Sequence, residues 1–144
     1  MSHPRWQIID NLVERLKAAH TAAGQQVLTD PAAMLRLMDE DLPAILVRPD
    51  SEEPDELVET GQPRRYWHSL VLVVEAAAMP THDKALDLLI RELDLAIEQV
   101  VQSDESQGGL ALETILAQTK FAFEAEGGTP VGVVSQSYLV RYQF

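Results

Sequence analysis

The side chains able to do chemistry are few and scattered along the chain. Histidines stand at His3, His20, His68 and His82, and none has the i, i+4 partner and intervening glutamate of a helical zinc site. His68 and His82 would meet if a strand end and a helix start came together; read alone, they are two unrelated histidines. Ser69, Ser135 and Ser137 fall in strand-like stretches, without the Gly-x-Ser-x-Gly turn that exposes a nucleophile. Gly108-Gly109 and Gly127-Gly128 lack the spacing and the lysine of a phosphate-cradling loop and read as turns. The absence of cysteine removes thiolate metal sites, thiol nucleophiles and disulfides. The expectation is a protein that is not an enzyme, with no catalytic residue, no cofactor and no metal.

One charged stretch stands out. Residues 49–63 hold Asp50, Glu52, Glu53, Asp55, Glu56 and Glu59, no basic residue, three prolines and Gly61. The stretch lacks the alternating ligands, central glycine and terminal bidentate glutamate of a calcium loop. Like charges and prolines predict an extended, acidic, mobile loop. Arg64 and Arg65 close it and are expected to pair with it rather than with phosphate. Trp67 with Tyr66, and Tyr138 with Tyr142, read as core or sheet-face aromatics rather than a base-stacking platform.

The elements that must position these residues are organised around Thr81 to Val101. Leu86, Leu89, Ile90, Leu93, Ile97, Val100 and Val101 form one apolar stripe at helical spacing, with Thr81 as N-cap. Leu88 and Leu95 lie off that stripe, seven residues apart, and make either a second contact inside the domain or a contact with another subunit. A first helix is expected from Pro4 to Ala23 with Trp6, Ile9, Leu12, Val13, Leu16 and Ala19 inward and Gly24 ending it. Asp30-Pro31 opens a short helix through Met38. Ala44 to Arg48 reads as a brief strand, and Tyr66 to Ala77, with Leu70 to Val74 apolar on both faces, as the best strand of the chain. After a polar loop over 102–109, Leu110 to Ala117 is a candidate short helix. Thr119 to Glu126 and Val131 to Phe144 form a hairpin about Gly127-Gly128-Thr129-Pro130. The fold class expected is α+β: a four-stranded, largely antiparallel sheet with two main helices and one or two short ones, in a single domain spanning 1–144.

Charge narrows the partners. The 144 residues carry a formal charge of −12, which opposes direct nucleic-acid binding, since that affinity rests on cations displacing counterions. It also repels anionic membranes. Leu70 to Val74 is too short an apolar run to span a bilayer, and the charged, amphipathic start of the chain is not a signal peptide.

In its order of elements the chain resembles the tail terminator, or head–tail joining (minor tail), proteins of long-tailed bacteriophages. The resemblance is carried by the helix around Ile8-Ile9-Asp10-Asn11-Leu12-Val13 and by Asp41-Leu42-Pro43-Ala44-Ile45-Leu46-Val47 leading into a strand. It continues through the acidic insertion, the helix Asp83 to Val101, Gly108-Gly109-Leu110-Ala111 and the hairpin closing on Tyr138-Leu139-Val140-Arg141-Tyr142. It lies in order and flavour rather than in a diagnostic motif. It implies a virion protein, assembled in the host cytoplasm as a homo-oligomeric, typically hexameric, ring on the tail tube. Its partners would be the tail tube protein and a head-completion protein, and no catalytic residue is implied. Asp50, Glu52, Glu53, Asp55, Glu56, Glu59, Arg64, Arg65, Leu88 and Leu95 are the candidate interface. The alternative is a cytosolic adaptor or assembly factor without catalytic activity.

Overall fold

The computed structural model describes residues 3–37, 39–59, 64–125 and 128–144, with the side chains of Asp39 and of residues 56–59 outside that description. Helix α1 (Pro4–Ala18) leads to a two-residue strand β1 (Val27–Leu28), a short helix α2 (Pro31–Leu35) and a 3-10 turn at Asp39–Asp41. Strands β2 (Ala44–Glu59) and β3 (Arg65–Ala78) form one hairpin, α3 (Leu86–Gln102) follows, and β4 (Glu113–Glu124) with β5 (Val131–Gln143) forms the second. The sheet runs β1-β2-β3-β5-β4. Its neighbours are antiparallel except β1 and β2, which are parallel. The class is therefore α+β with a mixed, five-stranded sheet where four strands were expected. The extra strand, β1, has two residues, too few for any period to show.

Both long helices bury their stripes on one face of the sheet. Ile8, Ile9, Leu12, Val13 and Leu16 of α1 and Leu89, Ile90, Leu93, Ile97 and Val101 of α3 join Ile45, Val47, Leu70, Leu72, Val74, Val134, Tyr138 and Val140 in one core. The alternate strand positions point the other way, and there Ala44, Leu46 and Val73 are buried outside that core. β3 is thus apolar on both faces, as its sequence predicts. At Gly132 α3 lies close against the sheet: a Cβ there would lie 3.0 Å from Ile90 Cγ1 and 3.1 Å from Leu86 Cδ1.

Several boundaries differ from expectation. The organising helix starts at Leu86, after Ala85 in extended conformation, and Thr81 is not its cap. Instead Thr81 folds a turn onto Lys84, whose N–H donates to Thr81 Oγ1 at 3.0 Å. α1 ends at Ala18, because His20 (φ 51) and Gly24 (φ 58) turn the chain towards β1; Trp6 and Ala19 are exposed and Ile8 takes an inward place. Asp30 does cap α2, accepting from Ala32 N–H at 2.9 Å, but the helix stops at Leu35, and Met38 lies outside the described residues. Residues 113–117 belong to β4 rather than to a helix.

The largest correction concerns the acidic stretch. Residues 49–59 are not a loop but the second part of a sixteen-residue strand, β2, laddered to β3 with irregularities between Pro49/Ser51, Pro54/Leu57 and Leu57/Glu59. β3 supplies the template, and Pro49 and Pro54 sit where a strand with one side free of the ladder tolerates a missing donor. Residues 60–63, the rest of the expected loop, lie outside the described residues.

Candidate interaction surfaces

α3 presents a second apolar face. Leu88 and Leu95 are two turns apart, on the side of the helix away from its buried stripe, and are 45% and 56% exposed. Asp87 and Arg91 sit on the solvent side as well, 3.6 Å apart as an i, i+4 ion pair. The two leucines are therefore open to another molecule while the opposite stripe holds the fold.

The acidic residues divide into two sets. Asp50, Glu53 and Asp55 are exposed on β2. Asp50 pairs with Arg48 at 3.3 Å, and Asp55 accepts from Ser69 Oγ and lies 3.6 Å from Arg141 Nε. The Arg141 guanidinium in turn sits 4.8 Å from the centre of the Trp67 ring. Glu56 and Glu59 lie on the same strand, their side chains outside the described residues. Glu52 belongs elsewhere. It points to the helix side, where it accepts from Arg5 Nε at 3.1 Å, from Arg5 Nη2, and from Tyr142 Oη at 2.5 Å. His68 Nδ1 lies 3.3 Å from Glu52 Oε2, and the His68 ring stacks on Tyr142 with centroids 5.0 Å apart.

The electrostatics of this cluster follow from its geometry. Burial disfavours the Glu52 carboxylate, yet the hydrogen bonds from Arg5 and Tyr142 outweigh it and hold its pKa below the ordinary value. Burial and then the Glu52 hydrogen bond push the Tyr142 phenol up. Burial and then the charge of Arg5 push the His3 imidazole down. Glu52 thus anchors the start of α1 and the end of β5 to β2. His68 meets His3 and Tyr142, while His82 is exposed before α3.

Arg65 Nη2 donates to Gln143 Oε1 at 2.9 Å, and Arg65 stands opposite Glu59 in the ladder. Arg64 is exposed and, with Arg65, Gln143 and Phe144, borders a hollow of about 340 Å³. A wider concavity of about 530 Å³ lies on the sheet face away from the helices, between Arg48 and Glu75 on one side and Lys120, Ser135 and Ser137 on the other. The Arg48–Glu75 pair, at 2.8 Å, neutralises its floor.

One surface was not singled out from the sequence. β4 is the last strand of the sheet, and Phe121 and Phe123 on it are 54% and 58% exposed. They stand opposite Val134 and Gly132 in the ladder, on the helix side, beyond the cover of α3. Their alternation with Lys120, Ala122 and Glu124 was legible, but aromatic strand residues are read by default as buried. Only the strand order puts them at an edge.

Among the described residues, no group of three or more histidine, aspartate or glutamate side chains could hold a metal ion, and no helix is long and apolar enough to cross a membrane. No protein-family model matches the chain, and no curated protein is significantly similar to it in sequence.

Proposed function

We propose that the chain is a structural subunit of a bacteriophage or prophage tail, a terminator or head–tail joining protein that assembles as a ring on the tail tube and docks to the head. The observation that carries this reading is the pair Leu88 and Leu95, half-exposed on a helix whose opposite face already holds the core. Such a pair gives a ring subunit a second apolar surface with which to meet its neighbour. The exposed acids Asp50, Glu53 and Asp55 extend along β2 and suit contact with the tube or the head. The net charge of −12 suits a lumen through which DNA passes without adhering. The succession helix, hairpin, helix, hairpin is the order on which the resemblance to tail terminators rests.

The test is negative-stain microscopy of the purified chain mixed with tail tubes. A ring on one tube tip supports the proposal. A chain that leaves both tips bare contradicts it.

A further inference from the structure

The free edge of β4 carries a pattern that complements itself. From Gln118 to Glu124 the strand pairs with β5 without irregularity, and the register shift between Leu116 and Gln118 separates this stretch from the rest of the strand. A bulge of that kind turns one part of a strand away from the other. Among the described residues no strand pairs with the other edge of β4. A long, regular edge with exposed aromatics is a template for strand addition.

We propose that a second copy of this chain docks on this edge, antiparallel and centred on Ala122, so that the two sheets run on as one. The sequence Lys120-Phe121-Ala122-Phe123-Glu124 meets its own reverse at each position, in charge or in ring. With Ala122 opposite Ala122 of the second copy, Lys120 stands opposite Glu124 and Glu124 opposite Lys120, two ion pairs on the face away from the helices. Phe121 stands opposite Phe123 twice, placing four rings together on the helix side. Directly opposed side chains lie about 4.5–5.5 Å apart at Cβ, so both the charge pairs and the aromatic pairs are in contact range. A two-fold axis requires each residue to suit its mirror position, and this stretch meets that requirement in charge, in shape and in face.

The other open edge of the sheet fits less well. Along β2 it carries Asp50, Glu53 and Asp55, which would oppose Glu124 with like charge and leave the phenylalanines without aromatic partners. The pairing goes beyond the tail-capping reading and stands without it, because it uses neither Leu88 and Leu95 nor the acids of β2, and is measured with no tube present.

The test uses the full chain at physiological ionic strength, where repulsion between the acidic copies is screened beyond about 8 Å. Sedimentation over a concentration series should show a monomer–dimer equilibrium. Lys120→Glu and Glu124→Lys should each weaken it roughly tenfold by setting like charges opposite each other, with unchanged circular dichroism. Combining the two should restore it. The chain has no cysteine of its own, so Ala122→Cys should give a disulfide-linked dimer under mild oxidation. A wild-type chain that stays monomeric overturns the proposal. So does a double variant no better than the single ones, or a dimer that Ala122→Cys does not link.

Discussion

Tyr142 Oη donates a 2.5 Å hydrogen bond to Glu52 Oε1 across ninety residues of sequence. With Arg5 on the same carboxylate, the contact ties the start of α1, the acidic half of β2 and the end of β5 together. Glu52 is only 12% exposed at its side chain, so removing it leaves a guanidinium and a phenol without their acceptor. Glu52→Ala should cost roughly 2 kcal/mol of folding free energy by chemical denaturation. Glu53→Gln, on the exposed side, should leave stability within about 0.5 kcal/mol of wild type.

The same cluster sets a pH dependence. The Glu52 pKa is lowered from 4.5, so its stabilisation is complete above that value and is lost as pH falls through the lower folded value. The His3 pKa is lowered from 6.5, so protonation opposes the fold as pH drops below 6.5. The phenols of Tyr138 and Tyr142 are raised above 10.0, so their contribution holds below pH 10.0 and is lost as pH climbs through their folded values. Thermal melts across the pH range should therefore show a plateau bounded by an acid and an alkaline decline. In Glu52→Ala the acid decline should be shallower.

Arg15 clasps the end of α3. It donates to Gln107 Oε1 at 2.8 Å, to Ser103 Oγ at 3.1 Å and to the Val100 carbonyl, satisfying a helix C-terminus with a cation. Gln107 is fully buried and its amide also donates to Thr114 Oγ1 at 3.1 Å. Arg15→Ala should lower stability by about 1–3 kcal/mol, and hydrogen exchange should quicken in the last turn of α3.

Gly132 carries α3 on its bare backbone. A valine there would overlap Ile90 and Leu86, and overpacking of this kind costs about 1–3 kcal/mol. Gly132→Val should shift the denaturation midpoint accordingly while the far-ultraviolet spectrum keeps its shape.

Much of this fold was legible in the sequence. The stripe of α3, the capping by Asp30 and the pairing of β4 with β5 each rest on local signals, periodicity and turn residues, that tertiary structure left in place. The acidic stretch was misread because β3, a strand apolar on both faces, holds a polar partner in the ladder whatever that partner's own propensity. Glu52 was grouped with its exposed neighbours because nothing local says that Arg5 and Tyr142 wait on the helix side. The outward placing of Leu88 and Leu95 was legible because helix geometry alone puts them opposite the stripe. The β4 edge was missed because strand order is a property of the whole sheet.

The tail-capping account rests most directly on the growth of the tube itself. Tail tube protein polymerising in the presence of the wild-type chain should stop at short, uniform lengths with added density at one tip. With Leu88→Asp and Leu95→Asp together, which leave the core untouched, tubes should elongate as if nothing had been added while the variant keeps its circular dichroism. Tubes that elongate unchecked with the wild-type chain, or that stop equally well with the double variant, would contradict it.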